Sequence, residues 1–406
     1  MDIQPQVVQA LEGIRILDLS RFLPGNYCTW ILAEMGAEVI KIQPTVEPEI
    51  PMDLFPSNDP NVVSAYDAMN RNKKSIALNL KTEEGRQVFY KLAKRSDAIL
   101  EGFRPGVTRR LGADYETVSR VNPRIIYCSI TGYGQDGPYQ ALAGHDRNYL
   151  SISGILGHLR TEDGQFVLPN VSMGDIGTGA MQAAVGILVA LIAREKTGKG
   201  QMIDVSMTDG LIAWVGAFHG PLTFGGKAPS SKHVSPPHVY ETADCKYICF
   251  QAREPWYWER LCRALGVEEY IPHHREILPE EPSNPRKRKE IILHLSKIFL
   301  TKSRDEWFQL LRQADCEVSP TYTELEEAFS DPQILHRRMV VELNHPDLGK
   351  VKQINLPLKF SETPGTIRSF APLLGQHTRE IMLDLGYSET EIEELHHNGT
   401  VCRNIS

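Results

Sequence analysis

The sequence predicts an α/β protein with a Rossmann-like large domain, built on a parallel sheet, and a smaller α+β domain. Short β-branched runs alternate with helical patterns over the first 135 residues, and a stretch rich in Gly, Pro and Ser interrupts the pattern from residue 219. Strands that are separated by single helices form βαβ units with right-handed crossovers, and therefore a parallel sheet. A chain of 406 residues is also long enough for two domains.

The first half supplies the strands of that sheet. Apolar runs bounded by turn residues predict helices at 29–37 and 81–96 and strands at 14–20, 38–44, 73–80, 97–103 and 124–134. Ligands of such sheets bind at the carboxyl ends of the strands. The segments GFRPG (102–106) and TGYGQDGP (131–138) are therefore expected at the functional edge. GYGQDG has the spacing of a dinucleotide fingerprint, but a proline and no helix follows it, which argues against that function.

The second half contains the clearest helix and the predicted domain boundary. Residues 174–200 have a helical pattern that begins near Asp175. Their apolar stretch, 183–193, is too short to cross a membrane, so it is predicted to be a buried helix. A hairpin is expected at 239–252. The predicted order is a large domain, a linker, a small domain and a return to the large domain, at residues 1–218, 219–238, 239–330 and 331–406.

Composition narrows the class of protein. Hydrophobic residues make up 41% of the chain and charged residues 23%, as in soluble globular proteins. The formal net charge of −7 argues against nucleic acid as a partner. The amino terminus lacks an apolar core of signal-peptide length and no membrane span is expected, which predicts a cytoplasmic protein. Seven scattered cysteines without a C-x-x-C pair predict reduced thiols and no metal site.

One candidate for chemistry is the histidine of the segment AGHDRNYL (143–150). His145 is followed directly by Asp146, whose carboxylate could orient an imidazole that acts as a general base. The alternative is a loop histidine that hydrogen-bonds to a backbone carbonyl. These residues by themselves leave both interpretations open.

A second candidate is the carboxylate of the segment MGDIGTG (173–179). Asp175 precedes a Gly-rich helical turn, where the helix dipole favours its ionised form. An ordinary N-cap is the alternative interpretation. The glycines favour function, because they let another group approach the backbone amides closely, as an anion or a developing oxyanion requires. The amides of residues 175–179 are therefore candidate donors to a reacting oxygen.

Basic side chains gather near the strand ends of the first half. Such side chains recognise phosphate as point charges or as guanidinium forks. Surface solvation is the alternative interpretation for each of them singly, so two or three functional members of the set are expected. The set comprises Lys41, Arg71, Lys73, Lys74, Arg104, Arg109 and Arg110.

Several segments are informative together, among them LEGIRILDLS, RNKKSIALNLKTEEGR, ILEGFRPGVTRRLG, GHDRNYLSISGIL and GDIGTGAMQAAVGILVALIAREKTGKG. In this order they resemble the family III CoA-transferase superfamily, which includes formyl-CoA and carnitine CoA-transferases and α-methylacyl-CoA racemase. The likeness covers most of residues 11–260 and recurs near 370–400. It implies an acyl-coenzyme A thioester as the substrate, with CoA arriving as part of that substrate and no permanently bound cofactor.

Position 145 separates two branches of this superfamily. GHDRNYLSISG resembles the racemase branch, which implies that His145 and Asp175 are the two catalytic bases, supported by Asp146. Glu241 of the segment VYET is implied to hydrogen-bond near the histidine. The implied reaction is racemisation or epimerisation of 2-methylacyl-CoA thioesters by proton transfer at C2. The alternative is a CoA-transferase in which Asp175 attacks the thioester, and a CoA-binding relative without catalysis is a third hypothesis.

The resemblance also implies substrate contacts and an assembly. Arg71, with Lys73 or Lys74, is expected near phosphate, and Arg104 and Arg110 are expected close by. The family fold implies an interlaced homodimer, in which each chain threads through its partner and the site lies between the large domain of one chain and the small domain of the other. The residues expected to bind the CoA part of the substrate are Lys41, Arg71, Lys73, Lys74, Arg104 and Arg110.

Overall fold

The computed structural model describes residues 8–46, 59–161, 164–226, 238–278 and 283–402. These residues form two compact units. The first unit takes its residues from 1–157, 168–227 and 339–406, and the second from 158–167 and 228–338. The first unit is therefore assembled from three separate stretches of the chain.

The strands of the described residues, in chain order, are β1 (Arg15–Asp18), β2 (Glu38–Gln43), β3 (Lys73–Leu78), β4 (Ala98–Glu101), β5 (Ile126–Thr131), β6 (Met202–Ser206), β7 (Val239–Glu241), β8 (Tyr247–Phe250), β9 (Val318–Thr321), β10 (Val340–His345), β11 (Gly349–Ile354) and β12 (Val401–Cys402). The α-helices are α1 (Leu23–Glu34), α2 (Pro60–Tyr66), α3 (Glu83–Lys94), α4 (Val107–Arg110), α5 (Tyr115–Val121), α6 (Asp146–Ile152), α7 (Ile155–His158), α8 (Met181–Thr197), α9 (Met207–Phe224), α10 (Pro255–Leu265), α11 (Pro285–Phe299), α12 (Arg304–Gln313), α13 (Leu325–Phe329), α14 (Pro332–His336), α15 (Thr378–Asp384) and α16 (Glu389–His397). A π-helix covers Met173–Ala180 and a 3₁₀ segment Glu268–Ile277.

The first unit is built on a sheet in the order β12-β3-β2-β1-β4-β5-β6. β1 to β6 run parallel, and β12 joins the β3 edge antiparallel. The predicted Rossmann-like parallel sheet is confirmed. Because the strand order reverses at β1, the helices that follow β1 and β4 leave in different directions, which opens a crevice outside the carboxyl ends of these two strands.

Both faces of this sheet are buried, as expected for parallel strands. Along β1 the side chains alternate between two hydrophobic clusters. Ile16 packs in the cluster that contains Leu32 of α1 and Ile187 of α8. Leu17 packs in the opposite cluster, which contains Phe89 of α3. The helices on both faces hold the strand ends, and hence the loops that follow them, in fixed positions.

The segment 173–197 is helical throughout, but its first turns are π-helical rather than α-helical. Two of its glycines have close neighbours. A Cβ on Gly177 would collide with the indole of Trp214, and one on Gly179 would press on Met207 and Pro24. The glycines therefore let neighbouring helices approach the wide turn that carries Asp175, and π-helical turns of this kind occur often at functional sites.

Two element boundaries differ from the predictions. The helix predicted at 29–37 begins earlier, at Leu23, because Pro24 occupies a first-turn position where its missing N–H costs nothing. The linker predicted from residue 219 also begins later, since α9 continues through Pro221 to Phe224. Residues 227–237 of that predicted linker lie outside the described residues.

The prediction that 183–193 is a buried helix is wrong for one face of α8. Ala183, Ile187 and Leu191 are buried, whereas other apolar side chains of the helix are exposed. The continuous helix Met173–Thr197 is long and apolar enough to cross a membrane by length and composition, and 44% of its most apolar window is buried in the protein. This exposed apolar face is formed by Met181, Val185, Leu188, Val189 and Ile192.

The second unit has its own sheet and core. β7, β8 and β9 form a three-stranded antiparallel sheet, which confirms the hairpin predicted at 239–252. Its buried cluster is aromatic, with Phe250, Trp258 and Phe299 among its members. Helices and antiparallel strands around one core make this unit α+β.

Candidate active site

A cavity of about 220 Å³ lies in the crevice between β1 and β4. The loop after β1 contributes Arg21 and Phe22, and the loop after β4 contributes Phe103 and Arg104. The guanidinium of Arg21 lies 5.8 Å from the centroid of the Phe103 ring. The cavity is thus lined by two aromatic rings and two cations at the place where doubly wound sheets bind their ligands.

His145 stands beside this cavity. Its exposed imidazole meets the ring of Phe22 edge-on, with the ring centroids 6.4 Å apart. Its backbone caps α6: the amide of His145 donates to Oδ1 of Asn148 at 2.9 Å, and the amide of Asn148 donates to the carbonyl of His145 at 2.8 Å. The helix start therefore fixes the backbone from which the imidazole projects.

Asp146 joins the two predicted catalytic segments. Oδ1 of its buried carboxylate accepts the amides of Gly174 at 2.7 Å and Asp175 at 3.0 Å. Asp146 therefore holds the turn of Asp175, and the expectation that it also orients the imidazole of His145 remains a prediction. Asp146 is thus placed as a positioning residue.

The same hydrogen bonds change the expectation about the amides of 175–179. The amide of Asp175 is occupied by Asp146, and that of Ile176 donates to the carbonyl of Ser172 at 3.2 Å. An amide that already donates within the protein is a poor donor to a reacting oxygen. These two amides are therefore not the donors that the Gly-rich sequence suggested.

The carboxyl group of Asp175 has an unusual electrostatic environment. Burial, and then the neighbouring carboxylate of Asp146, raise its pKa from 3.8 to about 6, while His145 acts in the opposite direction. His145 and Asp175 are therefore close enough to interact electrostatically. A carboxyl group whose pKa lies near neutrality can both accept and return a proton at physiological pH.

Tyr149 is a functional candidate that the sequence did not single out. Its hydroxyl donates to the carbonyl of Gly144 at 2.6 Å, and its ring fills the space where Cβ atoms on Gly132 and Gly144 would lie. Burial, followed by Asp175, raises its pKa to about 12, so it stays protonated. Tyr149 therefore packs beneath the segment that carries His145, and Gly132 and Gly144 leave room for the same edge of its ring.

Three of the predicted phosphate ligands lie inside the first unit with internal partners. The side chain of Arg71 is fully buried and binds Glu34, Gln353 and the carbonyl of Ile354. Lys73 is equally buried, 3.2 Å from the carboxylate of Asp18, and Lys41 lies 3.7 Å from the same carboxylate. Such partners favour structural roles, so CoA contacts of Arg71, Lys73 and Lys41 remain predictions.

The remaining members of the basic set are nearer to solvent. Arg104 lines the cavity and acts electrostatically on Tyr149, which joins the cavity to the site of Asp175. Arg110 is exposed at the end of α4, shortly after the cavity loop. Lys74 lies at the start of β3, where it pairs with Glu38 at 3.1 Å and Glu380 at 2.7 Å. It thus stands at the amino end of the strand, away from the loops that line the cavity.

Glu241 is the last residue of β7 in the second unit and is exposed. Its predicted hydrogen bond near the histidine remains a prediction. Phe22 and Arg21 were also missed from the sequence, although they directly follow a predicted strand. The rule that strand ends carry the site would have found them.

Comparisons with known proteins show the family of this chain. The family model that matches is CoA-transferase family III, over residues 11–378. Succinyl-CoA:glutarate CoA-transferase of Mus musculus is 33% identical over 409 residues, covering 97% of this chain and 91% of that protein. Alpha-methylacyl-CoA racemase of Homo sapiens is 31% identical over 401 residues, covering 95% and 96%.

The fold has solved counterparts as well. The crystal structure of a CAIB/BAIF family protein from Brucella suis superposes with a TM-score of 0.78 and 27% identity, covering 93% of this chain and 99% of that one. The chain belongs to CoA-transferase family III. It is an enzyme of the CoA-transferase and racemase superfamily, as its resemblance implied, and that superfamily contains both transferases and a racemase at similar distances from this chain.

Proposed function

We propose that this protein is a racemase or epimerase of 2-methylacyl-CoA thioesters that moves a proton at C2 with two bases, His145 and Asp175. The observation that supports the proposal is the electrostatic interaction of Asp175 with His145, whose ring contacts Phe22 of the cavity, together with the raised pKa of Asp175, about 6. A histidine at this position is the feature that the racemase branch shares.

The chemistry asks for two bases on opposite faces of the substrate. One base removes the proton from C2, and the electron pair of that C–H bond moves into the thioester as an enolate. The conjugate acid of the other base then delivers a proton to C2 from the opposite face. The product is the epimer, and the enzyme has exchanged a proton between its two bases. Each base must be able to hold a proton, and a carboxyl group with a pKa of about 6 meets that condition.

The CoA part of the substrate would lie in the cavity between β1 and β4. Arg104 and Arg21 place positive charge there, and Phe22 and Phe103 offer aromatic faces. Guanidinium groups recognise phosphate, and aromatic rings stack on planar bases. CoA arrives with the substrate, so the proposal includes no permanently bound cofactor.

The proposed assembly is a homodimer, with a second copy covering the exposed apolar face of α8. Met181, Val185, Leu188, Val189 and Ile192 recur at helical spacing and form one exposed stripe. A contiguous apolar stripe of this kind marks an interface. Val189→Glu is expected to convert a dimer into a monomer in sedimentation analysis, whereas Lys94→Glu, on the polar face of α3, is expected to leave the dimer intact. A monomeric wild type would contradict the proposal.

A CoA-transferase is the second candidate, favoured by the 33% identity to succinyl-CoA:glutarate CoA-transferase. In that reaction the Asp175 carboxylate would attack the thioester carbonyl and expel CoA as a thiolate, leaving a mixed anhydride. His145 would then have no proton to transfer at C2. The two candidates thus share Asp175 and differ in their need for His145.

The test is incubation of the enzyme with 2-methylacyl-CoA in deuterium oxide, with and without an acceptor acid such as glutarate. Deuterium uptake at C2 without the acid is the expected result, and His145→Gln should lower uptake by about a hundredfold or more for the enantiomer whose C2 proton faces His145. His336→Gln, at the exposed last residue of α14, serves as the matched control. CoA transfer to the acid without deuterium uptake would establish the transferase instead.

A further inference from the structure

Glu101 is a buried carboxylate immediately before the cavity loop. It is the last residue of β4 and only 3% exposed. Oε2 of Glu101 accepts the amide of Phe103 at 2.7 Å, and the hydroxyl of Ser129 on the neighbouring strand also donates to the carboxylate. Within the described ranges, Glu101 belongs to none of the ion pairs. The polar contacts of its carboxylate are therefore hydrogen bonds, and the one from Phe103 fixes the backbone.

The surroundings of Glu101 make a carboxylate costly at this position. Burial is the largest cause that raises its pKa to about 7, and the carboxylate of Asp204, on β6, acts in the same direction. A buried acid without a cation destabilises the fold unless its hydrogen bonds compensate. An apolar residue would avoid that cost but would leave the amide of Phe103 without an acceptor.

The hydrogen bond from Phe103 fixes the start of the loop that lines the cavity. Phe103 and Arg104 both face the cavity, and Arg21 stacks against the Phe103 ring from the other wall. The loop then closes with a hydrogen bond from the amide of Val107 to the carbonyl of Arg104 at 3.1 Å. Glu101 is thus the acceptor that sets the chain direction just before both cavity-lining residues.

We propose that Glu101 is a positioning residue for the acyl-CoA substrate, because its carboxylate holds the Phe103 amide and thereby places Phe103 and Arg104 against the bound CoA. The inference rests on the proposed function in one respect, namely that the cavity binds the CoA part of the substrate. It adds a residue that touches neither substrate nor base. Its effect is on substrate binding and leaves the proton transfer at C2 unchanged.

Asp97 provides a matched control at the other end of β4. Its carboxylate also accepts a backbone amide, that of Arg15 at 2.8 Å, and pairs with Arg194 at 2.9 Å. Asp97 precedes the strand, whereas the cavity follows it. If backbone-binding carboxylates of β4 act only through stability, then replacing either of them should have the same kind of effect.

The experiment compares Glu101→Met, Glu101→Gln and Asp97→Asn in the full-length enzyme. Methionine fills the volume without accepting the amide, so the KM for 2-methylacyl-CoA and the Kd for coenzyme A should rise about tenfold, with kcat nearly unchanged. Glutamine keeps an acceptor oxygen, so Glu101→Gln should restore both constants to within about threefold of the wild type. Asp97→Asn should lower the free energy of unfolding while KM and Kd stay at wild-type values.

Unchanged KM and Kd in folded Glu101→Met would overturn the inference, as would Glu101→Gln behaving like Glu101→Met. If Glu101→Met does not fold, the comparison of Glu101→Gln with Glu101→Asp decides the question, because the shorter side chain cannot reach the Phe103 amide and should raise Kd. Failure of the proposed function has a different signature. A wild type that binds coenzyme A but takes up no deuterium at C2 would contradict the racemase while leaving the Kd comparison at Glu101 valid. A wild type that does not bind coenzyme A would overturn the inference about Glu101.

Discussion

Two carboxyl groups of the first unit, Asp18 and Asp175, are both shielded from solvent, yet their pKa values shift in opposite directions. Asp18 lies 3.2 Å from the ammonium of Lys73 and 3.7 Å from that of Lys41, and it accepts the hydroxyl of Thr29 at 2.7 Å. Burial alone would raise its pKa, but these two cations and the hydroxyl groups lower it to about 2. Asp18 is therefore permanently ionised and structural.

Asp175 has burial without the compensating cations. Burial and the carboxylate of Asp146 raise its pKa to about 6, and His145 is the group that opposes them. The difference shows that the charges around a carboxylate, more than its depth, decide whether it serves structure or proton transfer. Asp18 is stabilised in its ionised form by Lys73 and Lys41. Asp175 lacks such cations and can therefore still exchange a proton near neutral pH.

The largest expected effect concerns stability at Asp18. Asp18→Asn removes the counter-charge of Lys73, which stays fully buried, and should lower the free energy of unfolding by about 3 kcal/mol in urea titration. Part of the loss should return in the double variant Asp18→Asn/Lys73→Met, which removes the uncompensated cation. A urea midpoint like that of the wild type would show that the ion pair of Asp18 and Lys73 contributes no net stability. Asp18 would then not be a stabilising counterpart to Asp175.

The next effect is a gain in the free energy of unfolding when the carboxyl group of Asp175 is replaced. The pKa of Asp175 is 3.8 when unfolded and about 6 when folded, so the folded state holds its proton more tightly. The carboxyl group therefore costs no stability below pH 4, and stability declines as the pH rises through 6. With allowance for solvent screening, Asp175→Asn should be more stable than the wild type by about 1 kcal/mol at pH 8. The gain should shrink at pH 5, and an equal gain at both pH values would contradict the assigned pKa.

The smallest effect concerns Tyr149, which packs beneath the segment that carries His145. Tyr149→Phe removes the hydroxyl that donates to the carbonyl of Gly144 at 2.6 Å but keeps the ring packed against Gly132 and Gly144. The free energy of unfolding should fall by about 1 kcal/mol or less, because the ring packing remains. Catalysis should decline a few-fold through looser placement of His145. A variant with wild-type stability and wild-type turnover would remove Tyr149 from the site.

The sheet could be predicted from the sequence because its signals are local. The runs around Ile16, Ile40 and Ile99 are apolar and bounded by turn residues, so strand positions and the parallel arrangement followed directly. The segments of His145 and Asp175 were also found, since a histidine–aspartate pair and a Gly-rich turn are visible in the sequence. Their catalytic roles remain predictions.

The sequence could not predict contacts between residues that are distant along the chain. Lys73 and Arg71 have the residue types of phosphate ligands, but Asp18 and Glu34 occupy them, and nothing in the sequence pairs residues so far apart. Asp146 was assigned to the adjacent His145, whereas its carboxylate binds amides of the turn at 174 and 175. The exposed face of α8 was predicted as core, because an apolar run does not tell whether its own fold or a partner covers it.

The most direct test of the two-base proposal uses the separate 2R and 2S enantiomers of a 2-methylacyl-CoA in deuterium oxide. The wild type should exchange the C2 proton of both enantiomers and interconvert them. His145→Gln and Asp175→Asn should each abolish interconversion, while each retains exchange with a different enantiomer, because each variant keeps the base on one face. Equal loss of exchange for both enantiomers in both variants, or no exchange by the folded wild type, would contradict the assignment of His145 and Asp175 to opposite faces of C2.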